Sequence, residues 1–185
     1  MATVALTLEQ YEDIVKTMQE GTYQFRPNPR IAAALVVEAN LGIRIGDVLQ
    51  LTLSDIVRDG NRYRLDITEE KTGKRRTFTV TPELYAYLRD YADAHSIGKH
   101  DRLFPLTVRA IQKHLKIVCD FLEYENVSTH SFRKFFATSI YEANGHDIAL
   151  VQRLLQHSSA AVTQRYIGIE QERIEDALRN HSHIL

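Results

Sequence analysis

Apolar and polar positions along this chain change period twice, and the changes divide it into three stretches. In the first, "LTLEQYEDIVKTMQ" reads as an amphipathic helix with Thr7 as its cap. "NPRIAAALVVEANLG" follows with Asn28 as N-cap, Pro29 at the first helical position and Gly42 just past the end. It is apolar almost all round, which predicts a central, buried helix. A short helical piece, "IGDVLQL", comes next. The second stretch, "SDIVRDGNRYRLDITEEKTGKRRTFTV", alternates with period two. Asp59-Gly60 and Thr72-Gly73 supply its turns, so three short antiparallel strands are expected near 55–57, 62–68 and 75–80. The third stretch returns to helical spacing. Thr81-Pro82 caps a helix to about residue 94, and Ile111, Leu115, Val118 and Leu122 form one stripe of the next. Further helices are expected near 129–143, 147–156, 159–166 and 170–180. The fold class is mainly α (α+β), one helical domain with a small three-stranded antiparallel sheet.

Composition narrows the class. With 185 residues, 44% hydrophobic and 25% charged, the chain suits one well-cored globular domain. No apolar run is long enough to span a bilayer. The single Cys119 excludes an internal disulfide, fits a reducing cytosol and falls in an apolar helix, where core packing is its expected role. A net charge of −1 argues by itself against a nucleic-acid partner. The charge is uneven, however. "KTGKRR" (71–76) is a compact basic patch, and Arg109, Lys113, His114 and Lys116 form another, so a neutral total can hide a basic face.

The candidate chemistry starts from "THSFRKFF". His130 and Arg133 stand three apart and share a helix face. With eight histidines in the chain, chance supplies roughly one such pair, so the pair alone decides nothing. Arg44, between Ile43 and Ile45, has its base close to the core, and its guanidinium needs an anion. That anion is either a structural partner, Asp47, or a substrate. His157 sits at a junction between helices, and Tyr166 follows nine residues later. No G-x-x-x-x-G-K-[ST] or G-x-G-x-x-G loop and no H-E-x-x-H or cysteine pair occurs, so a nucleotide-phosphate loop and a zinc site of recognised type are not indicated. His181 and His183 read as a polar tail.

Order and spacing add what single residues lack. Arg44 in "LGIRIGDVLQL", Lys71 in a β-hairpin, "HSFR" and "LLQHSSAAVTQRY" closely resemble the catalytic domain of the tyrosine recombinases, or phage integrase family, over about Leu6 to Ile169. Three positions depart from the family's pattern. Asp47 stands for glutamate, Gln156 for the glycine before the histidine, and Thr129 for the proline before "HSFR".

The resemblance implies DNA strand cleavage and rejoining through a 3′-phosphotyrosine, without ATP, metal or other cofactor. It implies Tyr166 as nucleophile, Arg44 and Arg133 as phosphate clamp, and His130 as general acid/base. His157 would hydrogen-bond the phosphate, Lys71 (preferred to Lys74) would act as general acid, and Asp47 would support them. Lys74, Arg75, Arg76, Arg109 and Lys113 would contact DNA. The implied partner is double-stranded DNA, with a homotetramer on DNA, a monomer alone and no membrane; the implied place is the cytoplasm, DNA-associated, for a bacterial or phage-encoded protein. Residues 1–185 would form the catalytic domain, the family's N-terminal core-binding domain being absent, either by excision or in a naturally short recombinase. Residues 170–185 would form a C-terminal helix or tail, docking in cis or onto a neighbouring subunit. Phe132, Phe135 and Phe136 are expected to anchor the "HSFR" helix. A non-catalytic DNA-binding module of the same fold and a type IB-like topoisomerase remain alternatives.

Overall fold

The computed structural model describes residues 3–168, in two compact units divided between Phe136 and Ala137. The expected helix at 170–180 lies outside the described residues. The first unit runs α1 (Leu8–Glu20), α2 (Pro29–Leu41), α3 (Ile45–Val48), a 3-10 turn (Leu53–Asp55), β1 (Ile56–Asp59), β2 (Arg62–Thr68), β3 (Arg75–Val80), α4 (Pro82–Ala94) and α5 (Val108–Phe121). Helix α6 (Thr129–Ala143) begins in it. The second unit contains α7 (Ile148–Leu155) and α8 (Ala160–Ile167).

The caps act where the residue types imply. The Thr7 side chain accepts from the Gln10 N–H while Gln10 accepts from the Thr7 N–H, a reciprocal capping box on α1. Asn28 caps α2 at Ile31, and Pro29 occupies the turn where a missing N–H costs nothing. Each such cap contributes about 1 kcal/mol.

Helix α2 is the buried centre of the first unit. Ile31, Ala32, Ala34, Leu35 and Val37 are all fully enclosed. Burying an aliphatic side chain of the Ile or Leu size stabilises by about 1.5–3 kcal/mol, so Ile31, Leu35 and Val37 each contribute on that scale. It ends at Gly42 in the left-handed region (φ 58°). A Cβ there would run into the Phe136 ring, so glycine permits both the turn and the close approach of α6. Phe132 is fully enclosed, and Phe135 stacks on Tyr11 with centroids 4.9 Å apart. The three phenylalanines therefore hold the start of α6 against α1 and the end of α2, as its spacing led one to expect.

The sheet has order β1-β2-β3, antiparallel throughout. Its register pairs Tyr63 with Val80, Leu65 with Phe78, and Ile67 with Arg76 on the inward face. The next inward position after Ile67 is Glu69. An arginine and a glutamate thus end the buried rows of β2 and β3.

Candidate active site

The residues after α2 place Arg44. Buried Ile43 and Ile45 fix the backbone on either side, and Arg44 is the residue from which α3 starts. Its Nη1 donates to Glu69 Oε2 at 2.6 Å. The sequence had offered Asp47 as the structural partner of Arg44, but that pair is not formed. Asp47 Oδ1 instead accepts the backbone N–H of Glu70 at 2.9 Å. Arg44 turns to Glu69 because Glu69 already lies on the inward phase of β2.

Glu69 is the hub of the hairpin. It is 1% exposed and accepts from Arg44, from Arg76 Nη1 at 2.8 Å and from Thr72 Oγ1 at 2.9 Å. Burial alone would raise its carboxyl, but the hydrogen bonds from Arg76, Arg44 and Thr72 outweigh burial and bring it down to about 2. Arg76 is a correction to the expected DNA-contacting set. Its residue is 1% exposed, it holds Glu69, and its Nη2 reaches the Gly42 carbonyl at 3.4 Å. The period of β3 carries Arg76 inward with Phe78 and Val80, whereas Arg75 points out and binds Asp66 through two hydrogen bonds. Lys71 and Lys74 are exposed at the hairpin tip, and Arg109 and Lys113 are exposed on α5.

Helix α6 starts at Thr129, the position where the family's proline would stand. A first-turn position suits proline because its N–H has no intrahelical partner; threonine is accommodated there as well. The Ser131 hydroxyl accepts the Ser128 N–H at 3.1 Å and closes the turn. His130 is exposed, whereas Arg133 is only 2% exposed, one turn deeper beside the fully buried Phe132. The His130 imidazole is lowered from its ordinary value. Lost water contact is the largest cause, followed by the charges of Arg133, Lys71, Arg44 and Lys134. Three of the expected site residues, Arg44, Lys71 and Arg133, therefore act on a fourth, His130, within the first unit.

The second unit brings the other two together. The His157 and Tyr166 rings meet edge to face, with centroids 5.1 Å apart. His157 Nδ1 lies 3.1 Å from the Thr163 hydroxyl, and the Gln152 amide donates to the His157 carbonyl. Tyr166 occupies the last turn of α8, which Ser159 caps. Gln156, where the family has glycine, takes the left-handed conformation (φ 55°, ψ 36°). The turn before His157 is thus of the kind a glycine adopts freely, imposed here on a residue with a side chain.

Two buried acids, Glu69 and Glu38, were not among the residues singled out from the sequence. Both carried a signal: Glu69 falls on the inward phase of a strand, and Glu38 interrupts an otherwise apolar helix. Among the described residues, no group of three or more His, Cys, Asp or Glu side chains is arranged to hold a metal ion. No helix among them is long and apolar enough to cross a membrane.

Comparison with known proteins decides the family. The model described as "Phage integrase family" matches residues 5–173. The chain belongs to that family. Among integrase-family relatives, "Probable integrase/recombinase YoeC" of Bacillus subtilis is 30% identical over 162 residues, covering 85% of this chain and 87% of that protein. "Tyrosine recombinase XerC" of Caldanaerobacter subterraneus is 26% identical over 96% of this chain. This chain spans 51% of that protein's length. In fold, it resembles the catalytic domain of bacteriophage HP1 integrase (TM-score 0.65, 22% identity, 97% of this chain and 95% of that one). It likewise resembles the XerH site-specific recombinase bound to its difH substrate (TM-score 0.71, 22% identity, 96% of this chain and 53% of that one). These likenesses show the mainly helical fold with its small sheet to be that of tyrosine recombinase catalytic domains.

Proposed function

We propose that this integrase-family chain is the catalytic domain of a site-specific DNA recombinase, with Tyr166 as its nucleophile. The observation that carries the reading is the joint action of Arg44, Lys71 and Arg133 on His130, which concentrates positive charge around a group able to move a proton. Its partner is double-stranded DNA, on which it works as a homotetramer, and alone it is a monomer. Lys74, Arg75, Arg109 and Lys113 contact the DNA backbone, so affinity falls steeply with salt. Arg76 has no part in that contact.

In this reading the scissile phosphate lies against the guanidiniums of Arg44 and Arg133, whose planar forks match phosphate oxygens. The Tyr166 phenol has an ordinary pKa of about 10 and needs a base at neutral pH. His130, held below its usual value, is neutral there and takes the phenolic proton. The phenolate oxygen bonds to phosphorus, and the bond to the 5′ oxygen breaks. Lys71 protonates the departing oxygen, and His157 donates a hydrogen bond to the phosphate. In the second half, a 5′-hydroxyl from another strand attacks the phosphotyrosine, Tyr166 leaves, and a phosphodiester is restored. One ester bond replaces another at each step, so no ATP is consumed.

A nicked suicide DNA substrate tests this. Wild type is expected to form a covalent protein–DNA adduct and Tyr166→Phe none. An adduct that survives Tyr166→Phe would reassign the nucleophile. Absence of a wild-type adduct on the cognate site would favour a binding module, and relaxation without strand exchange a topoisomerase.

A further inference from the structure

Lys71 is fastened on both sides, and each fastening ends on a buried acid. Before it, the Glu70 N–H donates to Asp47 Oδ1 at 2.9 Å. After it, the Thr72 hydroxyl donates to Glu69 Oε2 at 2.9 Å. The same hydroxyl oxygen accepts the Lys74 N–H at 3.3 Å. Its hydrogen is therefore committed to the carboxylate and a lone pair to the main chain beyond the turn. The neck of the hairpin is closed separately. There the Glu69 N–H donates to the Lys74 carbonyl at 3.0 Å, and the Gly73 N–H donates to the Glu69 carbonyl at 2.8 Å. Main-chain bonds thus hold the neck, and the Thr72 hydroxyl ties the tip to the interior.

The atom that receives this tie has a second task. Glu69 Oε2 is also the oxygen on which Arg44 Nη1 rests at 2.6 Å. Anchored there, Arg44 keeps 26% of its side chain exposed, so it presents a face to solution. The Glu69 carboxyl, held at about 2, remains an acceptor throughout the neutral range. One oxygen therefore serves as the reference point for the arginine and for the loop that carries the lysine.

We propose that Thr72 is a positioning residue: its hydroxyl, anchored on Glu69, sets the loop from which Lys71 reaches the departing 5′ oxygen and keeps that loop in register with Arg44. The tasks of Lys71 and Arg44 rest on the recombinase reading above; the tie between Thr72 and Glu69 does not. A lysine ammonium sits on a flexible four-carbon stem. At an exposed hairpin tip its direction has to come from the main chain. The proton donor must also meet the same phosphate as the clamp, and groups referred to one atom hold a more constant separation than groups fixed independently. The residue type fits this task. A hydroxyl donates to one group while it accepts from another; valine has nearly the same shape and does neither, whereas serine keeps both functions.

Backbone order parameters measured by NMR test the tie without DNA. At Lys71 and Thr72 they should fall in Thr72→Val from about 0.85 toward about 0.6, and return in Thr72→Ser. Values unchanged in Thr72→Val would overturn the proposal whether or not the protein cuts DNA. Adduct formation on a nicked DNA substrate then tests the role. Thr72→Val should be about tenfold slower than wild type, within the hundredfold that a misplacement of about 1 Å can cost, and Thr72→Ser should recover most of the rate. On a 5′-phosphorothiolate substrate, whose leaving group needs no acid, the Thr72→Val deficit should all but vanish. A deficit of equal size on both substrates would refute a role through Lys71. The double variant Lys71→Ala with Thr72→Val should be no slower than Lys71→Ala alone, because a residue that acts through Lys71 has then nothing left to position. Further slowing in the double variant would count against the proposal in the same way. A wild type that forms no adduct on either substrate would sink the recombinase reading and the role with it, while lowered order parameters in Thr72→Val would leave the tie standing.

Discussion

Asp47 accepts the backbone N–H of Glu70 at 2.9 Å, one residue before Lys71. The acidic residue three positions after Arg44, the proposed clamp arginine, thus holds the base of the hairpin that carries the proposed general acid. Its contact is to the hairpin main chain and not to Arg44. Aspartate in place of the family's usual glutamate is compatible with this task, because the contact it makes here is to main chain.

Replacing Asp47 by Leu removes that tie. Cleavage is expected to fall about ten- to a hundredfold, the scale of a small misplacement of a reacting group. Asp47→Asn retains an acceptor oxygen and should recover most of the rate. A 5′-phosphorothiolate should restore the Leu variant as well, since what it loses is delivery of Lys71. A deficit equally large on the thiolate substrate would mean that Asp47 acts on the clamp instead.

His130 offers a pH test. Because its pKa is lowered, the basic form persists below the usual histidine range, and the acid limb of single-turnover adduct formation should lie below pH 6.5. Lys71 is one of the cations that lower it, so Lys71→Ala, assayed on the thiolate substrate, should move that limb to higher pH. His130→Ala should lose the limb and about 10²–10⁴ in rate. An acid limb unmoved by Lys71→Ala would show that the lysine does not act on the histidine.

Glu69 ties site geometry to stability. Its carboxyl is lowered from 4.5 to about 2, so the unfolded chain binds the proton more readily than the folded one. The stabilisation is complete above the unfolded value and is lost as pH falls through about 2. Melting temperature should therefore decline through that acid window in wild type, and less so in Glu69→Gln. At neutral pH, Glu69→Ala leaves Arg76 buried without its carboxylate and should cost about 3–5 kcal/mol, read by urea unfolding. A loss under 1 kcal/mol would show that water reaches Arg76.

Helix positions, caps and strand register were legible because they depend on local chemistry: Thr7, Pro29 and Gly42 each act as their residue types dictate. The candidate reacting groups could be singled out only through order and spacing, since His130 with Arg133 is a pair that chance supplies. Arg76 was misjudged because the basic run "KTGKRR" was taken as one surface patch, although strand alternation turns alternate members inward. Glu38 escaped notice for a different reason. Periodicity identifies a buried helix but does not say which tertiary neighbour a lone acid will meet, and Arg133, whose charge acts on it, lies 95 positions further along the chain.

One carboxylate shared by Arg44 and Arg76 has a consequence for protein engineering. The hairpin looks like an interchangeable cassette: a short ribbon with a lysine at its tip. Yet one of its acids closes the charge balance of an arginine outside it. Transplanting a relative's hairpin without a glutamate at position 69 would strand Arg44, and moving this hairpin elsewhere would export an acid evolved for two particular guanidiniums. Chimeras in this family should exchange positions 44, 69 and 76 together.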